Sequence, residues 1–176
     1  VSLAFTVDPK SLDGAQVQVS GSYIYDGNAK EPSGENVTVT LDGEPLTEST
    51  DYELTYSNNV NAGTATVQVT GKGNYTGTAT GSFTIAKANP NVEVPNNLTA
   101  TYGDTLANVA LPDGWSWDDP GTTPVGNVGN NTFSATYTPE DTGNYNMLQQ
   151  SLTISVRSSG SSGGSSITTE TTKNPD

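Results

Sequence analysis

The sequence predicts an all-β chain of two tandem small modules, each a β-sandwich or a β-grasp-like sheet, followed by a flexible tail. Hydrophobic residues make up 31% of the chain and charged residues only 14%. The rest is largely Thr, Asn, Ser and Gly, which together with abundant Val and Tyr favours strands over disorder. Short segments of alternating apolar and polar residues are separated by turn signals, and no long 3.6-residue periodicity is present. A degenerate internal repeat divides the chain into two modules.

The repeat places similar motifs in the same order in both halves. Tyr25-Asp26-Gly27 is followed by Asn74-Tyr75 and Phe83-Thr84-Ile85, and Tyr102-Gly103-Asp104 is followed by Asn144-Tyr145 and Leu152-Thr153-Ile154. Glycine in such turns permits backbone conformations that other residues avoid. We therefore predict structural roles beside turns for a set of six residues: Tyr25, Gly27, Tyr75, Tyr102, Gly103 and Tyr145.

The first module is predicted to span residues 15–87. Its alternating segments predict strands at 17–19, 22–25, 37–41, 52–56, 64–70 and 80–86. The side chains expected to face inward are Val37, Val39, Leu41, Tyr52, Leu54, Tyr56, Ala65, Val67, Val69, Phe83 and Ile85. Asp42-Gly43 predicts a tight hairpin turn. Residues 1–14 carry a short apolar strand at 3–7 and a turn at 12–14. They form either the leading strand of this module or the end of a preceding one.

The second module is predicted to span residues 88–157. Strands are predicted at 92–94, 98–102, 115–117, 132–138 and 148–156, whereas residues 106–109 fit either a helical turn or a strand. Phe133, Ala135, Tyr137, Leu152, Ile154 and Val156 are expected to face inward. Residues 158–176 are rich in Gly, Ser and Thr, which predicts a flexible linker and the start of a next module.

Charge and composition exclude several classes of function. The net charge is −13, from 19 acidic and 6 basic residues, which argues against binding nucleic acid or anionic membrane surfaces. The chain has no Cys and no His, so thiolate nucleophiles, serine-histidine triads and zinc hydrolases are excluded. No apolar run is long enough to insert into a membrane. The acidic residues fall in turns or on polar strand faces, which does not predict a paired-carboxylate hydrolase. We therefore expect no enzyme activity and no cofactor.

The tryptophans are the strongest candidate for ligand contact. Trp115 and Trp117 lie two residues apart, so on a strand they share one face. Two indoles on one face could stack on sugar rings, with Asp118 and Asp119 accepting hydrogen bonds from sugar hydroxyls. The alternative is that the indoles pack the core and the carboxylates are turn residues.

Two further sites are weighed against ordinary roles. Asp113, Asp118 and Asp119 are close in sequence and could supply oxygen ligands to Ca²⁺. The sequence has no Asp-x-Asp-x-Asp-Gly loop, however, which favours solvated turn carboxylates. Lys87 follows an apolar strand, which makes it the best-placed lysine for an isopeptide bond, against a simple exposed role. The sequence predicts no metal site.

Several spaced segments of the first half resemble a YDG-type repeat module of bacterial surface proteins. These segments are residues 25–32, 50–52, 56–59, 61–65 and 71–77. The stretch from Ala100-Thr101-Tyr102-Gly103-Asp104 to Tyr145 resembles the related MBG module of the YGX type. The resemblance covers about residues 17–156 and implies immunoglobulin-like or β-grasp-like repeats of large secreted or cell-wall-attached proteins, often from Gram-positive bacteria. It implies no catalytic residues.

The resemblance and the repeat together predict a non-catalytic spacer. Such a segment would position an adhesive or enzymatic domain outside the cell as a monomer, contacting neighbouring modules of the same chain. The alternative is a module that binds a glycan or a host surface protein through the Trp115/Trp117 face or through an exposed sheet edge.

Overall fold

The computed structural model describes residues 7–160, which form two compact units. Unit 1 consists of residues 7–92 together with Tyr137–Leu148, and unit 2 consists of Glu93–Thr136 together with residues 149–160. Apart from two single-turn 3₁₀ helices, Gly34–Asn36 and Leu106–Asn108, the regular structure of this part is all strand, which confirms the predicted fold class. The second 3₁₀ helix lies where the sequence fitted both a helical turn and a strand.

Unit 1 contains nine strands in three sheets. A four-stranded sheet has the order β3-β9-β7-β6, a three-stranded sheet the order β2-β4-β5, and β1 pairs with β8. β3 runs parallel to β9, and β1 runs parallel to β8. The other ladders of unit 1 are antiparallel. The strands are β1 Lys10–Ser11, β2 Gln16–Val19, β3 Tyr23–Ile24, β4 Val37–Leu41, β5 Glu44–Pro45, β6 Tyr52–Ser57, β7 Gly63–Gly71, β8 Tyr75–Thr76 and β9 Thr78–Ala86.

Alternation along the strands of unit 1 produces its core, because successive side chains point to opposite faces. The inward residues predicted for β4 and β7 are all buried, and so are Tyr52, Phe83 and Ile85; Leu54 and Tyr56 are half-buried. Leu12 is also fully buried in this core, beside β1. Burying a leucine side chain contributes about 1.5–3 kcal/mol. Residues 10–12 are therefore an integral part of unit 1.

The turn between β4 and β5 follows the hairpin prediction. Leu41 pairs with Glu44, so Asp42 and Gly43 are the two loop residues. Their φ angles are 54° and 86°. Two positive φ angles define the type I′ turn, whose twist matches that of the flanking strands.

Unit 2 is built around one four-stranded sheet with the order β10-β13-β12-β11. The strands are β10 Leu98–Thr101, β11 Trp115–Trp117, β12 Gly129–Tyr137 and β13 Leu148–Arg157. β10 runs parallel to β13, with Leu98 opposite Ile154 and Thr101 opposite Arg157. The core of this unit consists of the buried side chains Leu106, Val109, Val125, Ile154 and Val156, packed by Leu98, Ala100, Trp117 and Phe133.

The sequence repeat corresponds to one hydrogen-bonding scheme that is used twice. The amide of Tyr25 donates to the carbonyl of Ala86 at 2.9 Å, and the amide of Tyr102 donates to the carbonyl of Arg157 at 2.8 Å. In each case a tyrosine that follows the first strand of the parallel pair is bonded to the last residue of the final strand. The Asn-Tyr motifs are bonded alike: Lys10 N donates to Asn74 O at 2.8 Å, and Ala88 N donates to Asn144 O at 2.9 Å.

Some predicted segments differ from the structure. Residues 92–94 form no strand; Pro90 and Pro95 flank them and have no N–H to donate to a ladder. Val7 is 76% exposed and lies in no strand, and residues 1–6 of the predicted leading strand lie outside the described residues. Of the predicted linker, 158–160 is exposed without regular structure, whereas 161–176 lies outside the described residues. Between residues 7 and 160, no helix has the length and apolar character needed to cross a membrane.

Candidate functional site

The tryptophan pair does not form an open stacking face. Trp115 is only 7% exposed, and Trp117 is half-buried. The Trp117 indole N–H donates to the carbonyl of Val109 at 3.0 Å, and its ring meets Phe133 edge-to-face with centroids 6.1 Å apart. A buried Tyr or Trp polar group that finds a backbone partner is typical of core packing. The indoles therefore stabilise unit 2, and the side chain between them, Ser116, is the exposed one.

The carboxylate of Asp118 ties neighbouring strands together. Its oxygens accept hydrogen bonds from Thr136 Oγ1 at 2.7 Å and Gln149 Nε2 at 2.8 Å. These two bonds hold the pKa of Asp118 below its ordinary value, because they favour the charged form. Asp118 thus has a structural role, whereas Asp119 and Asp113 are exposed turn residues. Across the described residues, no group of three or more acidic side chains is placed to hold a metal ion.

The six predicted structural residues fall into different surroundings. Tyr25 and Tyr145 meet edge-to-face inside unit 1, with ring centroids 5.4 Å apart and planes at 86°. Tyr75 packs partly against the unit 1 core. The ring of Tyr102 is instead 55% exposed, so only its backbone serves the structural role predicted for it. Gly27 and Gly103 have φ angles of 81° and 100°, the left-handed region that glycine enters readily.

Asn144 is the centre of a polar cluster that the sequence analysis did not identify. It is 9% exposed and is the buried polar residue of the described core. Its Oδ1 accepts from the Ala62 amide at 2.8 Å, and its Nδ2 donates to Asn61 Oδ1 at 3.2 Å and Asp141 Oδ2 at 2.8 Å. The repeated Asn before Tyr was the available signal, but two of the partners, Ala62 and Asn61, lie 82 and 83 residues away in sequence.

Lys87 lies on the surface of unit 1 and contacts the segment that carries Asn144. Its ammonium donates to the carbonyl of Thr142 at 2.6 Å, and the residue is exposed. A backbone carbonyl cannot form the isopeptide bond considered for this lysine, and the exposed setting fits the simpler alternative. The segment 141–146 is therefore held to unit 1 by the Asn144 cluster, the Tyr25–Tyr145 contact and Lys87.

A shallow acidic depression of about 430 Å³ lies beside β6. Two of its three glutamates are engaged: Glu48 accepts from the Gly34 amide at 2.8 Å, and Glu53 pairs with Lys72 at 2.7 Å. The Tyr56 hydroxyl donates to the carbonyl of Pro32. Burial, followed by the nearby charges of Glu48 and Glu31, raises the pKa of Tyr56 to about 12. This arrangement stabilises a neutral tyrosine, which suits packing rather than acid–base chemistry at neutral pH.

The chain was compared with protein-family models, with curated proteins and with solved structures, and none of the three comparisons finds a match.

Proposed function

We propose that this chain is a non-catalytic, load-bearing spacer segment of a larger bacterial surface protein. It would hold an adhesive or enzymatic domain at a distance, outside the cell and attached to it or secreted. The observation that carries this proposal is the parallel pairing of an earlier strand with the last strand, β3 with β9 in unit 1 and β10 with β13 in unit 2.

The parallel ladder determines how a unit responds to tension. In unit 2 the chain enters β10 at Leu98 and leaves β13 at Arg157, and these residues lie at opposite ends of the shared ladder, because Leu98 is opposite Ile154. Tension between those two points pulls the strands along their length. The hydrogen bonds between them then resist together rather than opening one at a time. β3 and β9 repeat this pairing in unit 1, with Tyr23 opposite Ile85.

The surface charge supports the same role. With 19 acidic and 6 basic residues, the net negative charge keeps the chain soluble and disfavours non-specific association between crowded surface chains. The three ion pairs described, Lys10–Asp42, Lys30–Asp26 and Lys72–Glu53, leave most acidic side chains without a cationic partner of their own.

The alternative, a module that binds a glycan or a host protein, has lost its strongest support. Its predicted contact face required exposed indoles, and Trp115 is buried. Asp118, the proposed partner for sugar hydroxyls, accepts bonds from Thr136 and Gln149 instead. A spacer requires neither contact.

A display experiment tests the proposal. The chain is placed between a cell-wall anchor and an antibody epitope, and epitope labelling is measured with antibodies and with smaller fragments. The control replaces residues 7–160 by a Gly/Ser sequence of equal length, which behaves as a random coil. We expect the folded chain to give higher labelling by intact antibody than the control. Equal labelling, or adhesion to glycans caused by this chain alone, would count against a spacer.

A further inference from the structure

The repeat leaves one surface of unit 2 uncovered although its counterpart in unit 1 is covered. In unit 1 the covered surface consists of Tyr25, Asn61 and Ala62. Tyr145 covers the ring of Tyr25, and Asn144 bonds to both Asn61 and Ala62. These three residues therefore hold an Asn-Tyr motif through one aromatic contact and two hydrogen bonds.

The counterparts in unit 2 follow from matched backbone features. Tyr102 corresponds to Tyr25, because each donates its amide to the end of the final strand. Gly129, which begins β12 with φ of 125°, corresponds to Gly63, which begins β7 with φ of 136°. Asn61-Ala62-Gly63 therefore aligns with Asn127-Val128-Gly129, and the asparagine is the same in both.

One backbone hydrogen bond joins the segments that carry these counterparts in unit 2. The amide of Val125 donates to the carbonyl of Asp104 at 3.0 Å, which joins the turn after Tyr102 to the segment before Asn127. We call Tyr102, Asn127 and Val128 the Tyr102 patch. Tyr102 is 55% exposed and Val128 is 58% exposed, and both are among the large exposed hydrophobic residues of the described chain. In unit 1 a single Asn-Tyr motif contacts Tyr25, Asn61 and Ala62. The repeat relation therefore assigns their counterparts to one surface within reach of such a motif.

We propose that the Tyr102 patch binds the Asn74-Tyr75 turn of a second copy of this chain. That turn is the repeat counterpart of Asn144-Tyr145 and carries the same bond to a leading segment, from Lys10 rather than Ala88. Asn74 is exposed, so its amide is accessible to a partner. Asn74 would exchange hydrogen bonds with Asn127 and the Val128 amide, as Asn144 does with Asn61 and Ala62. The part of the half-buried Tyr75 side chain that stays exposed would meet Tyr102.

The contact is expected to be weak and heterologous. Asp141 accepts a hydrogen bond from the Asn144 side chain at 2.8 Å and so fixes its orientation. In the turn that carries Asn74, the bond given is between backbone atoms, from Tyr75 N to the Lys72 carbonyl at 3.1 Å. Asn74 is therefore less preorganised, which lowers affinity. Because the turn and the patch are different surfaces, the association is heterologous and builds either a ring or an open chain of copies. If the copies associate this weakly, the chain is the expected monomer in dilute solution and associates only at high concentration.

A mixing experiment with full-length variants tests the pairing. ¹⁵N-labelled Asn74→Ala keeps the patch but lacks the turn, and unlabelled Tyr102→Ala keeps the turn but lacks the patch. Titrating the second into the first should give saturable amide shifts at Val128 and Asn127. The matched control, unlabelled Asn74→Ala added to labelled Asn74→Ala, should shift these amides at least about tenfold less at equal concentration, since losing paired hydrogen bonds of about 1.4 kcal/mol is a tenfold loss of affinity.

Both substituted residues are exposed, and the amide spectrum of each variant reports its folding directly. Saturable shifts at the patch that require Asn74 would support the proposal. Absence of shifts at millimolar concentration, or shifts that are the same for both titrants, would overturn it. Shifts that a different protein causes at the patch, with none from this chain, would assign the patch to another partner and would also overturn the proposal. The proposed spacer function does not depend on contact between copies, so it would stand after either result.

Discussion

Removing the side chain of Asn144 is the most informative perturbation of unit 1. In Asn144→Ala, the Ala62 amide loses its 2.8 Å acceptor, and Asn61 and Asp141 lose their donor. Ala62 is half-buried, and a donor that neither the protein nor water satisfies costs about 1–3 kcal/mol. Asn61 and Asp141 are exposed, so water replaces most of what they lose. We therefore expect Asn144→Ala to destabilise the attachment of segment 141–146 by about 2 kcal/mol.

Amide hydrogen exchange at Ala62 measures this cost where it arises. A loss of about 2 kcal/mol corresponds to roughly thirtyfold faster exchange, since 1.36 kcal/mol is tenfold. Asn74→Ala is the matched control, because Asn74 is the repeat counterpart and is exposed; exchange at Ala62 should stay the same. The tryptophans both lie in unit 2, so their emission should not change in either variant. If Ala62 exchanges at the same rate in Asn144→Ala as in the parent chain, the Asn144 side chain does not hold segment 141–146 in place, contrary to this prediction.

Three other predictions follow from the same structure. Because the folded pKa of Tyr56 is about 12 and the unfolded value about 10, its stabilisation is present below pH 10 and is lost as pH rises towards 12. The difference is at most about 2.7 kcal/mol and about 1 kcal/mol after solvent screening, and urea titrations should show a shallower decline in Tyr56→Phe. Gly81→Ala should cost about 1–3 kcal/mol, because the new Cβ would lie 2.7 Å from Val17 Cγ1; Gly160→Ala meets no neighbour and should leave the urea midpoint unchanged. Asp118 should titrate below an ordinary aspartate in carbon-detected NMR, and an ordinary value would contradict its bonds to Thr136 and Gln149.

The strands and their faces could be predicted from the sequence because both are local properties. Alternation identified the buried side of β4, β7 and β13, where the period of two leaves no choice of face once one side is apolar. The turn at Asp42-Gly43 could be predicted because its residue types require positive φ. The strand expected at 92–94 does not form, although the flanking Pro90 and Pro95, which have no N–H to donate to a ladder, are visible in the sequence.

The surroundings of the candidate site depended on long-range contacts and could not be predicted. A pair of tryptophans two residues apart has the same sequence pattern whether the indoles are exposed or buried. The burial of Trp117 depends on the positions of Val109 and Phe133, which contact it in the folded chain. The repeat correctly related Tyr25 to Tyr102, yet one ring is covered and the other exposed. That difference depends on where segment 141–146 packs, which is fixed by Asn144 and its distant partners.

The most direct test of the load-bearing proposal is to pull unit 2 apart in two directions. The chain has no Cys, so unique cysteines can carry the handles. Handles at Asn96 and Ser158 lie at opposite ends of the β10–β13 ladder and shear it, whereas handles at Tyr102 and Ser158 lie at one end and peel it, because Thr101 is opposite Arg157. We expect a markedly higher unfolding force, at equal loading rate, for the first pair than for the second. Equal forces, or a lower force in the shearing direction, would contradict it.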